Sequence, residues 1–318
     1  MSTVAINIVT YNNASTIQEC LECIQKQTYR KFSVFVIDNA STDNTVFLCK
    51  RFKIQLIRNT TNFGYAAAHN QGICLTKSKY ILTLNPDVFL RPDFLQQMVS
   101  VLERNTRLGS ACGLLLRIDH TKETPMVIDG AGLFMRKNRR QGLLYEGKPA
   151  QSTLQADYIL GPDGAAAFYR RKMLEDIAIN QEMFDEDFFM HKEDVDIAWR
   201  AQRAGWSSIF IPKAVAYHIR TFRPGKRKNI SNSLRCISLR NRYLLLIKND
   251  NWNYITRDIL YIVTYELGIF LYILFVEQHS LRAYISASSL WKIMMRKRRY
   301  IQRRWPNHIQ NAYNFFLS

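Results

Sequence analysis

Apolar and polar positions alternate along the first hundred residues in two periods. Val4–Thr10 is a short β-branched apolar run that reads as a buried strand, and Ser15 stands where it can cap a helix through Ile17, Leu21 and Ile24. Ser33–Ile37 repeats the strand pattern and Ser41-Thr42-Asp43 opens a second helix. Ile54–Ile57 is a third strand, Tyr65–Leu75 a third helix and Tyr80–Leu84 a fourth strand, after which Pro92 suits a first helical turn. This order predicts an α/β domain with a mostly parallel sheet and right-handed crossovers. Ligands of such open sheets bind beyond the carboxyl ends of the strands.

Polar residues collect at those ends. The four strands finish in Thr10-Tyr11-Asn12, Asp38-Asn39, Arg58-Asn59 and Asn85-Pro86-Asp87. From Gly109 to Phe168 the pattern changes to short β segments with glycine turns, and the basic run Arg136–Arg140 reads as an exposed hairpin. Residues 186–206 follow, EDFFMHKEDVDIAWRAQRAGW, where Glu193, Asp194 and Asp196 open a helical pattern that stops at Gly205. Carboxylates there face the positive end of a helix dipole and lie at the edge of a core, a placement suited to acid–base work. Short strands ending near Tyr217-His218 close a domain over residues 1–220.

After residue 220 the character changes. A basic loop, FRPGKRKNISNSLRC, leads into a helical stretch and then into ILYIVTYELGIFLYILFV, residues 259–276. That segment is at the lower limit for crossing a bilayer, and an internal Glu266 is costly there, so a helix in or on the membrane interface, or docked between neighbours, is expected. Its plain alternative is a buried hydrophobic helix.

Charge follows the same division. Residues 220–318 hold 18 Lys and Arg against four Asp and Glu, whereas the whole chain of 318 residues has 44 and 26, a net charge of +18. The partner of this basic third is nucleic acid, an anionic membrane surface or a phosphorylated substrate. The six cysteines are scattered, and Cys20-x-x-Cys23 lies inside an amphipathic helix without a second Cys or His pair, so it reads as packing. MSTVAINIVT opens as a strand, not a signal peptide, and the catalytic part is expected to face a reducing compartment.

The chemistry starts at Asp87. A carboxylate at the ligand edge of a sheet can hold Mg²⁺ or Mn²⁺ through oxygen and leave positions for a diphosphate, although Asn-Pro-Asp is also ordinary turn chemistry. Asp38 can accept a hydrogen bond from a pyrimidine N–H, and Tyr11 can pack on such a base. Asn62, Gly64, Tyr65 and Asn70 bring a glycine and amides to a helix start suited to phosphates or a sugar. No GxGxxG or Walker pattern is present, which weakens dinucleotide and ATP readings.

The ordered set VTYNN, VIDNASTDNT, NFGYAAAHNQG, LNPDV, GPDGAAAFYRR and HKEDVDIAWRAQRAGW, over residues 4–218, resembles glycosyltransferase family two, and most of all its bacterial rhamnosyltransferase branch that extends lipid-linked glycans. The resemblance implies a GT-A (Rossmann-like) fold, a nucleoside-diphosphate sugar donor, a divalent metal (Mg²⁺ or Mn²⁺) and inversion at the anomeric carbon. It implies Asp194 as general base and Asp87 as metal ligand, with His218 completing metal or diphosphate binding. Thr10, Tyr11, Asn12, Asp38, Asn39, Asn62, Gly64, Tyr65, Asn70, Asn85 and Asp87 would bind the donor. Asp163, Gly164 and Glu193 would meet the acceptor, with Glu193 orienting it or the base. Asp196 is expected to be structural, pairing one turn along with Arg200. His191 and His69 have weaker claims, and His69 is expected to be a helix residue near the donor pocket.

Two departures from the family pattern stand out. Asn85 replaces a first acid, which makes metal binding more dependent on substrate, and the single Asp38 leaves thymine and uracil undistinguished because both present N3–H. The expected acceptor is a polyprenyl-diphosphate-linked glycan, at the cytoplasmic face of the membrane. The basic, hydrophobic region 221–318 is expected to associate with anionic lipid, and no nucleic-acid partner is expected. A nucleotidyltransferase would carry a glycine-rich basic loop where Thr10-Tyr11-Asn12-Asn13 stands, and a nucleic-acid-binding module would leave the acidic strand ends unexplained.

Overall fold

The computed structural model describes residues 2–118, 127–220, 230–306 and 309–317. The basic loop at residues 222–229, and with it the predicted domain boundary, lies outside the described residues.

The first half alternates as the pattern requires: β1 (Val4–Thr10), α1 (Ile17–Gln25), β2 (Phe32–Asp38), α2 (Thr45–Cys49), β3 (Gln55–Arg58), α3 (Tyr65–Cys74), β4 (Tyr80–Leu84), β5 (Val88–Leu90) and α4 (Phe94–Arg104). Ser15 does not cap α1; the Asn13 carbonyl closes that turn, accepting from the Thr16 and Ile17 amides (3.1 and 3.0 Å). Then come β6 (Leu108–Arg117), β7 (Val127–Gly130), β8 (Leu133–Arg136), β9 (Gln141–Leu143), β10 (Asp157–Ile159), β11 (Ala166–Arg170), α5 (Arg171–Ile177), α6 (Glu193–Arg203) and β12 (Ser207–His218). The last third is α7 (Asn232–Asn249), α8 (Trp252–Arg257), α9 (Ile259–Phe275), α10 (Arg282–Ser289), α11 (Trp291–Arg304), α12 (Ile309–Tyr313) and β13 (Phe316–Leu317).

The main sheet runs β10-β12-β6-β11-β4-β1-β2-β3, with β5 and β7 paired off this path. Strands β3, β2, β1 and β4 are parallel, and β11 enters antiparallel between β4 and β6. Both faces are covered, which is why β1 is apolar at nearly every position. Val4, Ile6 and Ile8 point to the core under α1 and α4, and Ala5 and Val9 to the core under α3, α5 and α6.

The C-terminal helices share a core with the catalytic half. Trp199, Val195 and Ala198 of α6 pack with Leu244, Leu245, Met294 and Tyr313, and β13 adds a strand to β8. Two expectations change here. The run at residues 136–140 does form the β8–β9 hairpin, but Arg139 is buried, because its guanidinium bridges Asp250 (2.8 Å) and Asp258 (2.7 Å). The alternative of a buried hydrophobic helix at residues 259–276 also fails, since only Ile273 of α9 is buried. Glu266, the acid interrupting that helix, faces α7 and accepts from Arg242 Nε and the Tyr243 hydroxyl (both 2.9 Å). Among the described residues no helix is long and apolar enough to cross a membrane.

Candidate active site

Register brings the strand ends together. Thr10 pairs with Asp38 and Asp38 with Arg58, so three parallel strands stop at one edge. Asp38 is buried; its Oδ1 accepts from Thr10 Oγ1 (3.2 Å) and its Oδ2 from the Ser41 amide (3.2 Å). Tyr11 is half exposed at the rim, and Asn12, at φ +56°, accepts from the Thr42 amide (2.8 Å). The other predicted donor residues are tied to the protein. Asn39 Nδ2 donates to the Gly64 carbonyl (3.0 Å), Asn62 Oδ1 accepts from the Gly64 amide (2.9 Å), and Asn70 clasps both backbone groups of Phe184 (2.8 and 3.0 Å). Gly64 sits at φ +88° where a Cβ would lie 2.5 Å from the Phe189 ring, so glycine is required. His69 is fully buried between Tyr65 and Phe184, and burial lowers its pKa to about 3, which leaves it a neutral packing residue.

At the next end, β12 runs antiparallel to β5 with His218 opposite Val88, which puts the histidine beside Asp87. His218 Nε2 is 3.5 Å from Asp87 Oδ1, and that oxygen is buried without a hydrogen bond. His218 Nδ1 is 2.7 Å from Asp129 Oδ2. Burial opposes charge on this ring, but the hydrogen bond to Asp129 and the negative charge of Asp87 and Asp129 outweigh it and raise the pKa to about 9. Asp129 is fully buried in β7 and also accepts from Arg220 Nε (2.7 Å) and Arg117 Nε (2.8 Å). Burial works against its ionisation, yet His218 and the two guanidiniums hold it well below the usual carboxylate range. A histidine fixed at Nδ1 by a carboxylate presents Nε2 outward, the arrangement of metal-bound imidazoles. Among the described residues no group of three or more His, Cys, Asp or Glu could hold a metal; Asp87 and His218 supply two potential ligands, and a cation there would need phosphate oxygens and water to complete its shell. Asn85 contributes backbone: its amide donates to the Ala165 carbonyl (2.9 Å).

The third end belongs to α6. Phe189, His191 and Lys192 all have positive φ (63°, 68° and 71°), three strained residues in the four before the helix. Asn241 of α7, fully buried, holds that loop by donating to the Phe188, Met190 and His191 carbonyls (2.8, 2.7 and 2.8 Å). The helix then begins with the three acids, and the structure separates them. Asp194 is partly exposed; its Oδ2 accepts from the Gly164 amide (3.1 Å) and its Oδ1 from the Val195 amide (2.8 Å). Surrounding protein raises its pKa to about 6, reinforced by Asp163, and burial next to Asp194 raises that of Glu193 to about 8. Asp196 is fully buried and pairs with Arg200 (2.7 Å), as expected, and also with Lys248 of α7 (2.8 Å).

One hydrogen-bonded chain runs from Asp194 to His218, whose Nε2 lies 3.5 Å from Asp87. Asp194 holds the Gly164 amide; the adjacent Asp163 accepts from Arg220 NH2 (2.7 Å); Arg220 reaches Asp129, and Asp129 reaches His218 and so Asp87. Tyr65 ties the same turn to α3, donating to the Gly164 carbonyl (2.8 Å). Asp129, Arg220 and Lys248 were not among the residues singled out from sequence. A signal was present for two of them: a lone acid in the apolar run VIDG and a lone lysine in LLLIKN each demand a buried partner.

Comparison with known proteins places the chain by sequence and by fold. The chain is 26% identical over 242 residues to N-acetylglucosaminyl-diphospho-decaprenol L-rhamnosyltransferase of Mycobacterium tuberculosis, covering 69% of this chain and 76% of that protein. It is 27% identical over 229 residues to the amylovoran biosynthesis glycosyltransferase AmsB of Erwinia amylovora, covering 68% and 70%. Among solved structures, TarS of S. aureus superposes with a TM-score of 0.58 at 14% identity over 99% of this chain, which spans 55% of that one. The mannosyltransferase PcManGT of Pyrobaculum calidifontis, in complex with GDP-Man and Mn²⁺, gives 0.54 at 16% identity over 98% of this chain and 87% of its own. These neighbours share the GT-A fold. The sequence profile of Glycosyl transferase family 2 matches residues 5–178, and the chain belongs to that family.

Proposed function

We propose that this glycosyltransferase moves a sugar, L-rhamnose from a thymidine-diphosphate donor, with inversion onto a hydroxyl of a polyprenyl-diphosphate-linked glycan. The observation that carries the reading is the hydrogen-bonded chain from Asp194 through Gly164, Asp163, Arg220 and Asp129 to His218, beside Asp87, which links a raised-pKa carboxylate to the carboxylate that follows β4. The rhamnosyl donor and the lipid-linked acceptor are drawn from the similarity to the mycobacterial rhamnosyltransferase.

In the reaction the acceptor oxygen attacks the anomeric carbon as the bond from that carbon to the diphosphate oxygen breaks. The acceptor proton passes to Asp194, and the nucleoside diphosphate leaves with the bonding electron pair. Asp194 suits this role because a base poised near pH 7 combines availability with proton affinity. The Gly164 amide orients its carboxylate, and Glu193, held protonated at neutral pH, can donate to an acceptor hydroxyl. Asp38 accepts from the pyrimidine N3–H, with Thr10 and Ser41 fixing its rotamer. Asp87 and His218 would hold a divalent cation, whose chemistry is to neutralise charge on the departing diphosphate.

Membrane docking is part of the proposal. Lys292, Arg296, Arg299 and Arg303 form an exposed stripe on α11, half a turn from its inward Met294, Arg298, Ile301 and the following Trp305. On α9, Leu260, Val263, Leu267 and Phe275 stand more than half exposed. Apolar and cationic surfaces of this kind suit the cytoplasmic face of an anionic bilayer.

The test is a panel of nucleotide sugars, screened for binding and then for transfer to a lipid-diphosphate glycan, with Asp194→Asn in parallel. We expect thymidine-diphosphate rhamnose to serve as donor, and Asp194→Asn to bind it normally while turnover falls about 10²–10⁴-fold. Near-normal turnover of the variant would sink the base assignment, and preference for another donor would sink the rhamnosyl one.

A further inference from the structure

A groove of about 1050 Å³ opens between α7, α9 and the β8–β9 hairpin, at the upper end of the ~300–1,000 Å³ usual for ligand sites. It is polarised. One wall is apolar, formed by Leu239, Ile269 and Ile273, and Gly268 leaves a gap in it, because a Cβ added there would meet nothing within 4 Å. The other end carries Arg140 and Lys192. Among the described residues Arg140 is exposed and makes no ion pair, and Lys192 Nζ donates to Gln141 Oε1 (2.9 Å) instead of a carboxylate. Arg242 also lines the groove, but Glu266 already neutralises it.

Two features say what fits. Two unpaired cations at the end of an apolar trough complement an amphiphile with an anionic head. Lys192 is also the residue immediately before Glu193 and Asp194, so the cationic end adjoins the candidate base and the apolar end leads away along α9, whose outer side is exposed and apolar. A head seated at Lys192 and Arg140 delivers whatever it carries to the start of α6.

We propose that this groove is the acceptor-lipid site: it takes the proximal isoprenoid units of a polyprenyl diphosphate along Leu239, Ile269 and Ile273, with the diphosphate against Arg140 and Lys192. The proposal rests on the reading of the acceptor as lipid-linked. It adds where the lipid lies, and why chain length matters to an enzyme whose chemistry occurs on a sugar.

Gly268→Phe is the direct test. The residue is helical and open to the groove, so the ring fills the trough, and replacing a helical glycine favours the helix backbone. Initial rates of the full-length enzyme are measured with two acceptors bearing the same glycan diphosphate, one on a long polyprenyl chain in anionic vesicles and one on a single isoprene unit in water. Vesicle co-sedimentation is measured alongside. We expect wild type to prefer the long-chain acceptor, and Gly268→Phe to raise its KM at least tenfold with kcat, the short-chain rate and vesicle binding unchanged. Arg140→Ala should raise KM for both acceptors, since both carry the diphosphate. A wild-type enzyme indifferent to chain length, or a Gly268→Phe variant that keeps the wild-type KM for the long-chain acceptor, overturns the groove alone. Loss of vesicle binding in Gly268→Phe assigns the groove to bulk lipid and overturns it as the acceptor site. Failure of wild type to use either acceptor overturns the lipid-linked reading and the groove with it.

Discussion

Lys248→Met isolates what the C-terminal third does for the catalytic helix. Lys248 Nζ lies 2.6 Å from Asp185 Oδ2 and 2.8 Å from Asp196, with all three side chains at most 3% exposed. The substitution keeps an unbranched apolar chain out to Cε, with sulfur in place of Cδ, and removes the ammonium. Asp196 retains Arg200 (2.7 Å) and Asp185 retains Lys297 (2.6 Å), so neither acid is left bare. The expected loss is therefore about 3 kcal/mol, the low end of the ~3–5 kcal/mol for breaking a buried pair. With an unfolding entropy of about 2.1 cal/mol/K per residue, that is a Tm shift of roughly 4–5 °C for a chain of this length. The pH dependence supplies the sign. Although burial opposes their charge, the surrounding cations depress the folded pKa of both Asp185 and Asp196. Their stabilisation is therefore complete above the unfolded value of about 3.9 and lost as pH falls through the folded values. Removing the ammonium raises those folded values, so the gap between wild type and variant should be full at pH 7 and shrink below about pH 4. Thermal melts followed by circular dichroism from pH 3.5 to 8 measure it. Equal melting points at pH 7, or a gap that ignores pH, would refute the claim that this buried network stabilises the start of α6.

Three further outcomes follow from the site and the surface. Because Asp194 must be unprotonated to accept a proton and its pKa is raised to about 6, kcat/KM should fall tenfold per pH unit below about 6 and level off above it; a profile breaking near 4 would show the carboxylate to be unperturbed. Asp129→Asn should weaken Mn²⁺ binding about 10–100-fold, read by titration of the nucleotide-bound enzyme, since the ring of His218 loses its charged anchor. Changing Lys292, Arg296, Arg299 and Arg303 together to Glu should abolish co-sedimentation with anionic vesicles, each cation contributing about 1 kcal/mol; binding that survives and ignores salt would place the contact elsewhere.

The elements that sequence made legible are those in which one period dominates. The β1 to β4 alternation was readable because β1, β2 and β4 are apolar on both faces and each polar run marks a strand end. The opening of α6 was readable for the same reason: three acids, then an apolar stripe, then Gly205. What lies across the fold was not. Nothing local to Val127–Gly130 says that Asp129 will meet His218, because that contact depends on β6 standing between β7 and β12. Asn39 and Asn70 look like ligand amides in sequence and prove to be braces for the Gly64 and Phe184 backbones. An asparagine's chemistry is the same in either role, and only geometry distinguishes them.

The basic C-terminal third shows where composition misleads. A count of charges treats every cation as field, yet the fold consumes many of them. Arg220 bridges Asp129 and Asp163, Arg235 pairs with Glu277, Arg242 with Glu266, and Lys248 and Lys297 with the acids around α6. Lys248 and Lys297 fasten the helices to the catalytic domain, the ion pairs of Arg235 and Arg242 tie the helices to one another, and all of these cations are paired inside the fold. Among the described residues of this third, the unpaired cations include one exposed stripe along α11, at spacings of four, three and four. The positive charge of this segment thus divides between cations paired inside the fold and an exposed stripe proposed to meet the membrane. Deleting the whole segment would conflate the two, because Trp199 and Val195 would lose their packing partners along with the proposed membrane contact. Charge reversal on α11, which leaves Met294 and Ile301 in place, separates anchoring from folding.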